Sequence, residues 1–256
     1  MDIITSLDNT SVKEARGLND KKNRRFYGKF LIEGKKQVLE AIEKGLELDK
    51  IFVDNTKAKQ FDNILYSTDT PVLFVSANVL KSISNTETPQ GILATVMLPV
   101  VRAYKHASNN KILVLDKVSD PGNMGTIIRS ACAVGFKHIF TIDCVDPFGP
   151  KVVRSASGGL YNVNIYPTDY SEVLTICNQH NIKLLVADMN GHNIYDNFIV
   201  DGSYAIVVGN EGNGVSAELK EAGTLIKLPM LSGMESLNAG VSASIIMYAL
   251  EGKNIR

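Results

Sequence analysis

Lys111-Ile-Leu-Val-Leu-Asp116 and, shortly after it, Asp120-Pro-Gly-Asn-Met-Gly-Thr-Ile-Ile-Arg129 form the most informative part of the sequence. The apolar run is typical of a buried strand, and the proline–glycine pair predicts a turn that leads into a helix. Two later segments, Gly209-Asn-Glu-Gly-Asn-Gly214 and Leu228-Pro-Met-Leu-Ser-Gly-Met-Glu-Ser-Leu-Asn238, also follow short apolar runs. Because an α/β sheet usually binds its ligand at loops that follow strands, we predict that the three segments form one composite pocket.

The second half of the chain alternates between strand-like and helix-like segments. The predicted strands are Lys111–Asp116, His138–Ile142, Asn162–Tyr166, Lys183–Ala187, Tyr204–Val208 and Thr224–Leu228, and the predicted helices are Asn123–Val134, Pro150–Ser157, Asp169–Gln179, Ser216–Ala222 and Leu237–Leu250. Such alternation is typical of a mainly parallel sheet with helices on both faces. We therefore predict an α/β fold, with one domain over residues 109–256.

The first part of the chain predicts a smaller α/β domain over residues 1–104, followed by a polar linker. Within it, Ser11–Asn23 has the pattern of a basic, polar helix. Between Lys13 and Lys36, nine Lys or Arg residues stand against three acidic residues, a local net charge of +6 in a protein whose total net charge is zero. A basic segment this concentrated can neutralise phosphates even in a neutral protein.

The composition predicts a soluble cytoplasmic protein without a metal site. Of the 256 residues, 45% are hydrophobic and 21% are charged, and no apolar run approaches the roughly 18 residues that a membrane span needs. The start of the chain lacks the features of a secretory signal. Three widely spaced cysteines predict free thiols in a reducing compartment, and the four histidines have no ligand-like spacing.

The first two loops admit a chemical and a structural interpretation. Asn123 can cap the helix that follows it, and Arg129 projects from another face, where it suits a phosphate or a polar sugar. A plain capping residue and a solvated cation are the structural alternative. The glycines of Gly209–Gly214 allow a ligand to approach the backbone, or they simply make a tight turn. Their spacing differs from the dinucleotide-binding fingerprint, which disfavours a nicotinamide enzyme.

The third segment combines an apolar start with a polar end. Leu228-Pro-Met230 suits a wall against an aromatic base such as adenine. Ser236 and Asn238 place polar groups at the start of an apolar helix, where helix capping is the structural alternative. Because that helix has few charged residues, we expect it to pack in a core or in a subunit interface.

Together the three segments resemble the motifs of the SpoU (TrmH-like) family of RNA ribose 2′-O-methyltransferases, within the SPOUT superfamily. Asn-x-Gly-x-x-x-Arg is matched from Asn123 to Arg129, Gly-Asn-Glu-Gly-x-Gly from Gly209 to Gly214, and Pro-Met-x-x-x-x-Glu-Ser-Leu-Asn from Pro229 to Asn238. The chain departs from the family pattern after Asn238, where Ala239-Gly240-Val241 replaces a frequent Val-Ser-Val. The ordered triple is a strong match and covers Lys111–Leu250.

This resemblance implies an activity and a set of site residues. The implied reaction is methyl transfer from S-adenosylmethionine to a ribose 2′-hydroxyl of RNA, by a homodimer formed through a C-terminal domain with a deep trefoil knot. The resemblance assigns cofactor contacts to Gly209, Leu228, Pro229, Met230 and Leu237. It assigns catalysis to Arg129 as general base, with Asn123, Glu211, Ser236 and Asn238 positioning the ribose and the loops. Because arginine is not normally deprotonated, a phosphate clamp is an equally physical role for Arg129.

The N-terminal part resembles the RNA-binding domain that often precedes this catalytic domain. The match rests on Val12-Lys-Glu-Ala-Arg16, the Lys21-Lys-Asn-Arg-Arg25 cluster, Phe30-Leu-Ile-Glu-Gly34 and Thr88-Pro-Gln-Gly91. It implies RNA contacts by Lys21, Lys22, Arg24 and Arg25, where a solvated basic helix is the structural alternative, and it favours ribosomal RNA over transfer RNA as substrate. The rival functions are a non-catalytic RNA-binding protein on the same scaffold and a nucleotide- or phosphate-handling enzyme.

Overall fold

A computed structural model describes residues 2–101, 103–196, 200–231 and 236–251 of the chain. The chain divides into two compact units: Met1–Val100 with Phe148–Tyr161, and Val101–Pro147 with Asn162–Arg256. Across the described residues, no helix is both long and apolar enough to cross a membrane.

Helices and strands alternate through both units. The α-helices are α1 (Thr10–Gly17), α2 (Lys21–Tyr27), α3 (Lys35–Glu43), α4 (Asp62–Leu65), α5 (Ala77–Ile83), α6 (Pro121–Ala133), α7 (Pro150–Ala156), α8 (Tyr170–Gln179), α9 (Ala217–Ala222) and α10 (Ala239–Glu251). The strands are β1 (Lys29–Glu33), β2 (Leu48–Asp54), β3 (Val72–Val75), β4 (Ile92–Met97), β5 (Lys111–Asp116), β6 (His138–Ile142), β7 (Asn164–Pro167), β8 (Lys183–Asn193), β9 (Tyr204–Val208) and β10 (Thr224–Lys227). Short 3₁₀ helices span Asn55–Phe61 and Gly159–Asn162.

The first unit is built on a four-stranded mixed sheet in the order β1-β4-β2-β3. Strand β4 runs antiparallel to β1 and β2, and β2 is parallel to β3. Helices α1 and α5 cover the sheet with fully buried side chains that include Val12, Leu18 and Ile83, packed on Phe52. Helix α7 packs on β1 in this unit, where the rings of Phe30 and Phe148 lie 5.1 Å apart.

The single basic helix predicted over Ser11–Asn23 is wrong, because the segment forms two helices. Leu18, the C-cap residue directly after α1, is fully buried. Asp20 then starts α2, since its carboxylate accepts the backbone N–H of Lys22 at 2.7 Å. A buried apolar side chain followed by a strong N-cap favours a turn over a continuous helix. The break leaves α2 as a separate basic helix.

The second unit contains a six-stranded, fully parallel sheet in the order β10-β8-β9-β5-β6-β7. The predicted α/β class, with a parallel sheet flanked by helices, is confirmed. The central strands β5 and β9 are buried almost along their whole length. Strands covered on both faces need continuous apolar sequences rather than alternating ones, which is why these two runs were recognisable.

Strand β8 is longer than predicted and irregular where it meets β10. Leu225 of β10 pairs with Val186 of β8, whereas the next residue, Ile226, pairs with His192. Gly191 lies in the intervening bulge, where a Cβ atom would clash with the backbone of Ile226. The chain thus needs glycine where two backbones pass this closely. The trefoil knot in the segment from Tyr204 onward stays a prediction.

Candidate active site

The loops after β5 and β9 start side by side at one edge of the sheet. Leu115 of β5 pairs with Val208 of β9 in parallel register, so both strands end at this edge. Strand β10 lies on the other side of β8 from β9 and runs parallel to β8. Since adjacent strands are about 4.8 Å apart, β10 lies about 10 Å from β9. The carboxyl edge of the sheet therefore carries the starts of all three motif segments.

A side-chain hydrogen bond joins the first two loops. Asn123, which is 7% exposed, donates from Nδ2 to Oε1 of Glu211 at 2.7 Å. The hydroxyl of Ser119 also donates to Glu211, at 3.3 Å. Two loops that are 88 residues apart in sequence are thereby held together.

The structure corrects the capping role expected of Asn123. The N-cap of α6 is Asp120, whose carboxylate accepts the backbone N–H of Asn123 at 2.8 Å, and Pro121 occupies the first turn. Asp followed by Pro is a favourable helix start, because Asp satisfies a free N–H and Pro lacks one. Asn123 lies within the helix, so its side chain is available to Glu211.

Asn210 sets the shape of the glycine-rich loop. Its Nδ2 donates to the backbone carbonyl of Lys117 at 2.9 Å, and its Oδ1 accepts the N–H of Gly212 at 2.9 Å. Gly209, directly before it, is buried, and a Cβ atom there would clash with the backbone of Gly214. Sequence analysis assigned no role to Asn210, although a Gly-Asn pair after a buried strand is a known turn-forming signal.

Asp116 is a second residue that sequence analysis missed. It ends β5, is fully buried, and accepts the hydroxyl of Tyr170 at 2.9 Å and the backbone N–H of Ser216 at 2.7 Å. Ser216 is the N-cap position of α9, so Asp116 anchors the far end of the glycine-rich loop. Tyr170 also raises the pKa of neighbouring Lys117 through hydrogen bonding. The sequence did contain a signal for Asp116, because it is a single carboxylate at the end of an apolar run. A carboxylate that is buried with such a run needs hydrogen-bond donors around it.

Arg129 lies on the exposed side of α6, whereas Asn123 lies on the buried side. Helix α10 packs against α6, and the hydroxyl of Ser244 donates to that of Ser130 at 2.7 Å. Gly240 is close enough to Thr126 that an added Cβ would lie 3.3 Å from its side chain. The start of α10, where the third motif ends, is therefore next to the helix that carries Arg129.

The third segment places apolar side chains at the same edge of the sheet. Leu228, Met230 and Leu237 are half-buried and Pro229 is exposed. Asn238 accepts the backbone N–H of Val241 at 3.2 Å and so caps α10. Helix capping was the structural alternative to a ligand-binding role for this residue. Ser236 is exposed. Residues 232–235, which include Glu235 of the motif, lie outside the described residues.

Neither a reactive thiol nor a metal-ligand cluster is found at this edge among the residues that the structure describes. The Cys144 thiol donates to the carbonyl of Leu115 at 3.2 Å, and burial raises its pKa to about 12. At neutral pH this thiol is therefore protonated and unreactive. In the described ranges, no group of three or more His, Cys, Asp or Glu residues could hold a metal ion.

The four predicted RNA-binding residues of the first unit differ in their placement. Lys21, Lys22 and Arg25 are exposed on α2. Arg24 is 4% exposed, and its guanidinium donates to the backbone carbonyl of Leu18 at 2.7 Å. The structure corrects the expectation for Arg24: a buried guanidinium that holds the turn between α1 and α2 cannot reach an RNA phosphate.

Comparison with known protein families matches both parts of the chain. A model described as the SpoU rRNA Methylase family matches residues 110–248. A model described as the MRM3-like substrate binding domain matches residues 9–94. The first match covers more than half of the chain and contains all three motif segments.

Individual relatives and solved structures match over nearly the whole length. The chain is 32% identical to the 23S rRNA (guanosine(2553)-2′-O)-methyltransferase RlmP of Bacillus subtilis, over 97% of this chain and 99% of that protein. The AdoMet-bound rRNA methyltransferase from Sinorhizobium meliloti superposes with a TM-score of 0.87 at 26% identity, covering 100% of this chain and 99% of that one. The SpoU methyltransferase AviRb of Streptomyces viridochromogenes has the same fold, with a TM-score of 0.87 at 23% identity over 96% and 98% of the two chains.

Proposed function

The chain belongs to the SpoU rRNA methylase family, and we propose that it transfers a methyl group from S-adenosylmethionine to a ribose 2′-hydroxyl of ribosomal RNA. In this proposal residues 1–104 bind RNA and residues 109–256 carry the transferase. The observation that carries the proposal is the hydrogen bond from Asn123 to Glu211, because it joins two family motifs at the carboxyl edge of the sheet. Two relatives, RlmP of Bacillus subtilis and the mitochondrial rRNA methyltransferase 3 of Mus musculus, are named as ribosomal RNA methyltransferases, which favours this substrate over transfer RNA.

The residues at this edge fit S-adenosylmethionine. Gly209 is buried where the glycine-rich loop packs on its own backbone, and a side chain there would clash with Gly214. We propose that backbone N–H and C=O groups of this loop pair with the edge of a purine. Leu228, Met230 and Leu237 provide half-buried apolar surface for the adenine ring. We propose these residues and Pro229 as the cofactor contacts. When bound, S-adenosylmethionine supplies a methyl group on a positively charged sulfur, which is a good leaving group.

The side chains of this site orient the acceptor. Methyl transfer forms an oxygen–carbon bond as the sulfur–carbon bond breaks, and the hydroxyl proton passes to the neighbouring RNA phosphate or to solvent. In-line transfer requires the hydroxyl oxygen, the methyl carbon and the sulfur to be aligned, and such positioning can contribute several kcal/mol of the barrier. We propose that Arg129 clamps a phosphate next to the attacking ribose, because a guanidinium binds phosphate in a bidentate manner and is not deprotonated in proteins. Asn123 and Glu211 then fix the loops. We propose Ser236 and Asn238, which precede α10, as further ribose-positioning residues; Asn238 Oδ1 also caps the helix.

Two measurements test this function. Calorimetry with S-adenosylmethionine alone tests the cofactor site, and mapping of ribose methylation in ribosomal RNA incubated with and without the protein tests the reaction. Cofactor binding without any new 2′-O-methyl group would favour a non-catalytic RNA-binding protein. Absence of both would contradict the proposal.

We propose that the protein is located in the cytoplasm. Its three cysteines, Cys132, Cys144 and Cys177, are free thiols, which suits a reducing compartment.

The exposed cations of α2 are proposed to contact RNA phosphates. The triple substitution Lys21→Gln, Lys22→Gln and Arg25→Gln is expected to weaken RNA binding and to reduce the slope of log K against log salt by about two units, because each lost phosphate contact removes about 0.7–0.9. The slope is measured by fluorescence anisotropy between low and moderate salt.

Lys59→Gln with Lys81→Gln is the matched control, since both lysines are exposed in the same unit but lie outside the basic segment. A salt slope that is unchanged in the triple variant would remove α2 from the RNA-binding surface.

Arg24→Gln is expected to lower the free energy of unfolding instead, because it leaves the Leu18 carbonyl without this buried donor.

We also propose that α10 forms a homodimer interface. Val241, Ile245 and Tyr248 make an apolar stripe at helical spacing, with Val241 and Tyr248 still 44% and 47% exposed. A groove of about 350 Å³ lined by Ile245 and Tyr248 continues this surface towards Tyr195. Exposed apolar surface of this kind is typical of contacts between proteins.

Tyr248→Asp is expected to convert the dimer to a monomer, because it places a charge in the centre of an apolar interface. Sedimentation velocity at micromolar concentration measures the change. Tyr66→Asp, at an exposed aromatic residue of the first unit, is the control and should leave the dimer intact. A wild-type protein that sediments as a monomer would contradict this part of the proposal.

A further inference from the structure

Helix α2 presents an outward face that combines cations with an aromatic ring. Lys22, Arg25 and Phe26 are at positions i, i+3 and i+4, and these positions share one face of a helix. All three are exposed, together with Lys21. The opposite side of the helix is turned inward, where Arg24 is buried. We refer to Lys21, Lys22, Arg25 and Phe26 as the α2 face.

Phe26 is unusual for its exposure. It is 79% exposed, although a phenylalanine side chain contributes its largest stabilisation when it is buried. Its ring contacts Tyr27 edge-on, with ring centres 4.9 Å apart and an interplanar angle of 84°. Tyr27 is itself 39% exposed. Folding of the first unit therefore leaves most of the Phe26 ring open to a ligand.

The cations next to Phe26 are free, whereas others of the basic segment are paired. Lys29 forms ion pairs with Glu14 at 2.6 Å and Asp49 at 3.0 Å, and Lys13 pairs with Asp8. Among the described residues, none of Lys21, Lys22 and Arg25 has an ion-pair partner. An unpaired cluster beside an open ring is complementary to a polyanion that also carries flat aromatic groups.

We propose that Phe26 stacks on an unpaired nucleobase of the RNA while the cations of the α2 face contact the flanking phosphates. The inference rests on the proposed function and narrows its substrate to RNA with a single-stranded loop, bulge or end near this face. Bases of a duplex are stacked on each other and unavailable to a side chain, whereas unpaired bases stack readily on aromatic rings. In this proposal Phe26 determines the preference for unpaired over duplex RNA. Lys22 and Arg25 do not, because both kinds of RNA carry the phosphates that they contact.

The proposal is tested with the full-length protein and two probes: a mixed-sequence single-stranded RNA that carries one 2-aminopurine, and the same strand in a perfect duplex. Mixed sequence is an adequate probe because stacking on aromatic side chains is tolerant of sequence. Phe26→Ala is expected to weaken single-strand binding about 10-fold and duplex binding little. The salt slope should be unchanged, because no phosphate contact is lost. Quenching of 2-aminopurine fluorescence, present with wild-type protein, should disappear.

Matched variants separate stacking from other causes. Phe26→Trp should restore binding and quenching, whereas Phe26→Leu, which keeps apolar surface without an aromatic face, should not. Tyr66→Ala is the control, since Tyr66 is 88% exposed in the same unit and follows a helix that starts at Asp62. Thermal unfolding should show that all these variants fold, because the substituted side chains are exposed.

Several outcomes would overturn the inference. One is that Phe26→Leu binds single-stranded RNA and quenches 2-aminopurine as well as the wild type does. Another is that Phe26→Ala loses single-strand and duplex binding equally. A third is that the wild type does not bind single-stranded RNA. A change of sedimentation coefficient in Phe26→Ala would instead show that a second protein molecule covers the ring, and would also overturn it. Failure of the proposed function is distinguishable, because it would be seen as absence of S-adenosylmethionine binding and of ribose methylation in the wild type.

Discussion

Arg129→Ala is expected to lower the rate of methyl transfer by about 10³-fold, which is the upper range for removing one preorganised charged or polar group from an active site. The affinity for S-adenosylmethionine should stay close to that of the wild type. The physical reason is that Arg129 is exposed on α6, whereas the proposed cofactor contacts follow β9 and β10. The variant is measured in single-turnover methylation assays and by calorimetry with the cofactor.

Arg129→Lys distinguishes the two roles that have been considered for this residue. A lysine can serve as a base when its environment permits, but it binds phosphate as a point charge and not in a bidentate manner. Substantial activity with lysine would favour a base, and a loss close to that of alanine would favour a clamp. Lys183→Ala is the control, because Lys183 is exposed at the amino end of β8, away from the edge that carries the site. Parallel loss of cofactor affinity in Arg129→Ala would make Arg129 a structural residue.

Gly209→Ala is expected to abolish S-adenosylmethionine binding and to lower the free energy of unfolding by about 1–3 kcal/mol. A Cβ atom at position 209 would clash with backbone atoms of Gly214 and Val215, and backbone cannot move aside as the end of a flexible side chain can. The loop would have to open, which breaks the pairing between Asn210 and Gly214. Calorimetry measures the cofactor affinity and urea titration measures the stability.

Gly212→Ala is the matched control within the same loop. An added Cβ there would meet only Oδ1 of Asn210, at 3.5 Å, which is an ordinary contact distance. Its free energy of unfolding should therefore remain near that of the wild type. If Gly209→Ala and Gly212→Ala were equally stable and both bound the cofactor, the close backbone approach at Gly209 would have no functional importance.

The architecture of the second unit could be predicted because it depends on local patterns. Strands β5 and β9 form over Lys111–Asp116 and Tyr204–Val208, as predicted. Both strands are buried on both faces, so each had to be a short, uninterrupted apolar run, and such a run can be recognised without knowing its neighbours. The motif residues at the ends of these strands were assigned in another way, through their resemblance to the motifs of the SpoU family.

The roles of individual side chains were harder to predict, and Arg24 and Arg25 show why. They are adjacent and chemically identical, yet Arg24 is buried against the Leu18 carbonyl and Arg25 is exposed on the α2 face. Their environments depend on the break between α1 and α2, which turns one side of a short helix inward. A composition or charge count treats the two residues alike.

Asn123 and Asp116 illustrate the same limit within the candidate site. The local sequence around Asn123 allowed it to be a helix cap, but its side chain meets a carboxylate that is 88 residues away. Asp116 contacts Ser216, which is 100 residues away. Periodicity reports which face of an element is buried. It carries no information about which distant group meets a given side chain, because that pairing exists only after the strands have assembled into a sheet.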